Sequence, residues 1–179
     1  MSAVANVMTK VKEYAKREYW DERYNSEEHF EWLQSFSTLK STYLPHLSTT
    51  LLSLNKSKSE IKILHIGCGN STLSVSLYEE GFENITNVDY SEVVIHNMRE
   101  KYEKTHPNMT WITMDCRQMQ FDDNEFDVVI DKATLDAISC GGVESVQQVA
   151  AQVHRVLRPA HPFLLITYSF ASFFSTIYE

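Results

Sequence analysis

The sequence predicts an α/β protein built on a doubly wound, mostly parallel sheet, with helices placed ahead of it. Three observations carry that expectation. The apolar run Ile61–Ile66 passes straight into Gly67-Cys68-Gly69 and a helix-opening Asn70-Ser71. Strand-like runs then alternate with helical periodicities, the pattern of crossover connections rather than hairpins. Asp89 closes the second of those runs, 22 positions after Gly67. At that offset a carboxylate can accept hydrogen bonds from a ribose diol.

Residues ahead of the first strand read as helical. Val4, Val7, Val11 and Tyr14 fall at three- and four-residue spacing, and Trp20, Arg23 and Tyr24 continue it. Ser26 suits the N-cap of a second helix carrying Phe30, Leu33 and Phe36. Pro45 suits the start of a third, with Leu47, Leu51 and Leu52. The polar stretch Asn55–Glu60 is a connector.

After the first strand, a helix over Ser71–Glu80 ends at Gly81, a good residue to follow a helix C-terminus. Asn84–Val88 is the second strand and leads to Asp89. Ser91 caps a helix whose Val94, Met98 and Tyr102 share one face. Thr110–Met114 is the third strand, delivering Asp115 and Cys116. The fourth, Phe126–Ile130, delivers Asp131, Lys132 and Thr134, with Asp136 soon after. A helix over Val143–Leu157 and a fifth strand within Pro162–Ser169 complete the reading. In an open parallel sheet ligands sit beyond the carboxyl ends of the strands, so these residues are expected to share one site.

Composition narrows the partners. The 179 residues suit one domain, and 43% apolar residues can build a core. A net charge of −8 argues against a nucleic-acid backbone binder, which needs clustered Lys and Arg. No apolar run is long enough to cross a membrane, and the start lacks a signal pattern. Cys68, Cys116 and Cys140 have no paired spacing, so reduced thiols in a cytoplasmic protein and no metal site are expected.

The blocks EYWDERY, ILHIGCGNSTLS, NITNVDYSEVVI, MDCRQMQF and FDVVIDKATLDAI, in this order, resemble a class I S-adenosylmethionine-dependent methyltransferase. More narrowly, they resemble the methyltransferase-like family that includes lysine methyltransferases of translation elongation factor 1-alpha. The similarity runs from about Glu18 to Ser169. It implies a Rossmann-like sheet of the seven-strand methyltransferase type, here reaching strand five, within a single domain. Residues 1–60 would form a helical cap, 61–169 the core and 170–179 an apolar tail. The resemblance implies S-adenosylmethionine as cofactor and a protein lysine, in a basic translation factor, as acceptor.

Under it, Gly67, Cys68, Gly69 and Asn70 approach the methionine moiety, Asp89 takes the ribose and Tyr90 lies against adenine. Asp115 and Cys116 flank the base. Trp20, Tyr24 and Trp32 close over the sulfonium, whose charge suits aromatic faces. Arg23 is expected to pair with the methionine carboxylate, and Lys132 to lie near the cofactor. Asp131 and Asp136 are the candidates to position or deprotonate the acceptor ammonium.

Two departures matter. Ala160-His161 stand where related enzymes usually have two glycines, and only ten residues follow strand five, where relatives usually add two more strands. An apolar strand with an open edge invites pairing. The expectation is a shortened form of a longer protein, or self-association through that edge. Two rival readings stay open: an inactive cofactor-binding module, and a nicotinamide-dependent oxidoreductase, which shares the Gly-x-Gly turn and Asp89 but would want glycine at Thr72.

Overall fold

The computed structural model describes residues 13–42, 44–45, 48 and 54–169. Five strands, β1 (Ile63–Ile66), β2 (Ile85–Asp89), β3 (Thr110–Thr113), β4 (Val128–Lys132) and β5 (Phe163–Ile166), form one parallel sheet. Their order is β3-β2-β1-β4-β5, so the winding reverses between β1 and β4. Such a reversal opens a crevice at the carboxyl ends of the central strands, where crossovers leave in opposite directions.

Among the described residues the sheet is accompanied by α1 (Arg17–Tyr24), α2 (Phe36–Thr42), α3 (Leu73–Glu79), α4 (Glu92–Tyr102), α5 (Thr134–Ser139) and α6 (Val143–Val156). Side chains alternate across each strand, which divides the core in two. Ile63, Val128 and Ile130 pack with Leu77, Ile95 and Met98 of α3 and α4. Leu64, Ile66 and Val129 pack with Leu135 of α5 and Val146, Val149 and Val153 of α6.

The doubly wound sheet, its five strands and the helices between them match the sequence reading. The expected helix from Ser26 through Phe36 does not form. Residues 27–35 run as an irregular strap, with Leu33 at φ 65° and helix starting only at Phe36. Tertiary bonds override the local periodicity: the Asn70 amide donates to the Glu27 carbonyl, and Glu31 reaches the start of α3. Helix α3 begins two residues later than expected. Ser71 instead donates to Glu31, and its hydroxyl accepts from the Leu73 N–H. Strand β4 runs two residues further than expected, so Asp131 and Lys132 are strand residues, and α5 was not foreseen.

The expectations built on Val4, Val7, Val11, Leu47, Leu51, Leu52 and the 170–179 tail lie outside the described residues. Ala160 takes the left-handed conformation, φ 62°, which favours glycine. Strand β5 is only half-buried over Phe163–Leu165, and β4 is its only sheet neighbour among the described residues. No helix among the described residues is long and apolar enough to cross a membrane.

Candidate functional site

The carboxyl ends of β1 to β4 converge on one cavity of about 580 Å³. Gly67, Cys68, Gly69 and Asn70 follow β1, Asp89 and Tyr90 end β2, Asp115 and Cys116 follow β3, and Lys132 ends β4. Trp20, Tyr24 and Trp32 form the wall on the α1 side. These twelve sequence-predicted residues therefore share one space.

The glycine turn is shaped by lack of side chains. Gly67 and Gly69 hold φ of 56° and 50°, and a Cβ on Gly69 would lie 2.7 Å from the Tyr24 hydroxyl. A Cβ on Gly67 would meet Thr134 Oγ1 at 2.2 Å. The Gly69 N–H donates to Asp89 Oδ2 at 3.0 Å, and the Ser91 N–H donates to Oδ1 at 2.9 Å. The two bonds aim Asp89 at the turn and leave each oxygen a free lone pair. Burial pushes the Asp89 carboxyl up to about 6, against those two N–H donors. At neutral pH it remains mostly a carboxylate.

Asp115 lies further along the same edge and is held by a fork from Arg117. Burial would raise its carboxyl, but the Arg117 bonds win and leave it below the usual range. Burial raises the Cys68 and Cys116 thiols, so neither is a nucleophile at neutral pH.

The other end of the cavity depends on a residue that sequence reasoning missed. Glu31, on the strap, accepts from the Thr72 N–H at 2.7 Å, from the Thr72 and Ser71 hydroxyls, and from Lys132 Nζ at 2.7 Å. Lys132 also donates to the Trp32 carbonyl, and its side chain is only 2% exposed. Burial pushes the Glu31 carboxyl up, but Lys132 and Thr72 outweigh it and leave it lowered. The pair thereby pins Trp32 against the cavity. Nothing local marks Glu31; its sole sequence signal is its place between the aromatics Phe30 and Trp32.

Arg23 does not line the cavity. Its guanidinium forks onto Glu27 and lies 4.8 Å from the ring centres of both Phe30 and Trp32. It braces the aromatic wall from behind, so the expected cofactor-carboxylate role has no geometric support.

The two acceptor-side carboxylates also separate. Strand alternation sends Lys132 to the strap face and Asp131 to the opposite one. Asp131 is fully buried and accepts the Thr134 and Leu135 N–H groups at the start of α5. Burial, with the Asp136 charge adding, pushes its carboxyl up to about 8 against the Leu135 and Thr134 donors. Asp131 cannot touch a substrate. Asp136, one helical turn on, lines the cavity and accepts from the Thr167 and Ser169 hydroxyls and the Tyr168 N–H. His65, buried behind the turn, is pushed down to about 3 by burial and the Lys132 charge, so it is neutral. No cluster of metal-ligating side chains exists among the described residues.

Comparison with known proteins agrees with this architecture. Residues 63–160 match a methyltransferase domain family. The mouse EEF1A lysine methyltransferase 4 is 37% identical over 168 residues, 87% of this chain and 62% of that protein. The Neurospora crassa methyltransferase srdJ is 36% identical over 163 residues, covering 88% of this chain and 67% of its own length. The crystal structure of the PH0226 protein from Pyrococcus horikoshii OT3 superposes with a TM-score of 0.59 at 28% identity, over 80% of this chain and 64% of that one. The chain thus spans about three-fifths of the mouse relative. With more than half of its length matched and a glycine turn, Asp89 and strand order to fit, the chain belongs to the methyltransferase domain family.

Proposed function

We propose that this chain binds S-adenosylmethionine and transfers its methyl group to a lysine side chain of a protein, of the elongation factor 1A kind. The observation that carries the reading is the convergence of four strand ends on one cavity with a side-chain-free turn. At that turn a Cβ would strike Thr134 or Tyr24, so both positions are glycine and the backbone stays bare beside the cavity. Asp89 retains acceptor capacity for a ribose diol, Tyr90 and Cys116 give apolar surface for a base, and Trp20, Tyr24 and Trp32 present ring faces to a cation. The names of the mouse relative and its Bos taurus counterpart, both EEF1A lysine methyltransferases, support the acceptor.

The bound cofactor supplies a methyl carbon already attached to a sulfonium leaving group. The chain's own task is to align the acceptor and exclude water, and orientation is worth ~7–11 kcal/mol in such reactions. The strap and α1 exclude water from above. Asp136, at the β4–β5 end, positions the acceptor ammonium. That ammonium must lose its proton before its nitrogen can bond the methyl carbon, since a free lysine titrates near ~10.4. Asp131 takes no part except in fixing α5.

Isothermal titration of the purified chain with S-adenosylmethionine and with its demethylated product tests the first half. A dissociation constant in the micromolar range is expected, and no heat up to millimolar ligand would refute it. Labelled methyl transfer to purified elongation factor 1A, with the product residue identified by mass spectrometry, tests the second half.

A further inference from the structure

Four large apolar side chains are exposed among the described residues, and three of them gather at one place. Phe30 and Leu33 lie on the strap, Val143 opens α6, and Tyr168 follows β5. Phe30, Leu33 and Tyr168 stand at the rim of the cavity, whereas Val143 does not line it. Scattered single exposures are ordinary on protein surfaces, but a cluster around one opening marks a contact site.

Two further observations say what kind. Leu33 holds φ 65°, a conformation that suits asparagine or glycine and costs a leucine about 1 kcal/mol. An exposed apolar side chain kept on such a backbone serves something other than the fold. Asp136, in the wall beneath, has hydrogen-bond donors but no basic partner within 4.0 Å among the described residues. Glu31, Glu27 and Asp115 each have such a partner, in Lys132, Arg23 and Arg117, while Asp89, which also lines the cavity, has none among the described residues.

An apolar rim with an uncompensated carboxylate below it is complementary to a lysine on an extended segment. The aliphatic stem lies along the rim while the ammonium reaches the charge. The chain's net charge of −8 favours a basic partner as well. Resting on the reading above, we propose that Phe30, Leu33 and Tyr168 form the docking surface for a lysine-bearing extended segment of the protein acceptor, with Asp136 receiving its ammonium. Asp136 and Tyr168 lie at the β4–β5 end of the crevice, on the other side of β1 from Asp89 and Asp115.

The test uses Leu33→Asn and Tyr168→Ser, singly and combined, in the full chain. Each is measured for S-adenosylmethionine affinity and for methyl transfer across a range of elongation factor 1A concentrations. The combined variant should keep its cofactor affinity within twofold and raise KM for the factor at least tenfold. Leu33→Asn alone should be at least as stable as the wild type to urea yet still raise KM, which separates docking from folding. A KM within twofold of wild type in the combined variant overturns the proposal. So does a parallel loss of cofactor affinity, which would make the rim a cofactor lid. If the wild type binds the cofactor but methylates no protein, the acceptor reading fails and the surface falls with it; if it binds no cofactor, the methyltransferase reading itself has failed.

Discussion

Replacing Glu31 by glutamine isolates the contact that fastens the strap. The change preserves shape and leaves an acceptor for the Thr72 N–H, but it removes the charge facing Lys132. The ammonium, 2% exposed, then keeps only the Trp32 carbonyl. Breaking a buried pair from one side costs about 3–5 kcal/mol. Glu31 itself is 21% exposed, so water can partly reach the space and the low end, about 3 kcal/mol, applies. For a chain of this size that is a fall in melting temperature of roughly 6–12 °C. Lys132→Met should cost less, about 1–2 kcal/mol, because the Glu31 carboxylate keeps the donors of Ser71 and Thr72. The double variant should then lie at least 1 kcal/mol above the sum of the singles. Urea unfolding of the four proteins measures the cycle. A Glu31→Gln variant within 0.5 kcal/mol of wild type, or additive single effects, would refute the pinning of the strap by this pair.

Other outcomes follow from the same geometry. Asp89→Asn should weaken S-adenosylmethionine about 10–100-fold, the worth of a charged hydrogen-bond acceptor, as read by titration; unchanged affinity would remove Asp89 from the site. Gly67→Ala meets both a left-handed backbone and Thr134, and should destabilise by roughly 2–3 kcal/mol, partly restored by adding Thr134→Gly. Asp131→Asn probes a carboxyl held up at about 8 from an ordinary 3.8. Because the folded state prefers the protonated form, wild-type stability is greatest below the unfolded pKa and falls as pH rises through 4 to 8. The loss is at most ~1.4 kcal/mol per pH unit. Between pH 5 and 7 the wild type should therefore lose up to about 2.7 kcal/mol relative to Asp131→Asn, and parallel urea profiles at the two pH values would contradict the shift.

The glycine turn and the strand-end acids were readable because their chemistry is local. Gly67 and Gly69 announce a backbone that needs positive φ, and Asp89 and Asp115 follow apolar runs at the offsets a parallel sheet imposes. The strap was misread because Phe30, Leu33 and Phe36 have helical spacing, while the bonds that extend the chain come from Asn70, Thr72 and Lys132, some 40 to 100 positions away. Asp131 was placed in the site on the assumption that β4 ended at Ile130. Two more strand residues swing its side chain to the α5 face and give the cavity edge to Lys132. Arg23 is not available because Glu27, four residues on, takes its guanidinium.

Cys68, Cys116 and Cys140 come from three different loops or helix ends, yet all border the same cavity. Of the three, only Cys140 is not fully buried, so it is the sulfhydryl that can report occupancy. A small alkylating reagent would mark Cys140 at a pace set by whether the chamber is filled, so following that single adduct by mass gives ligand engagement without any substrate in hand.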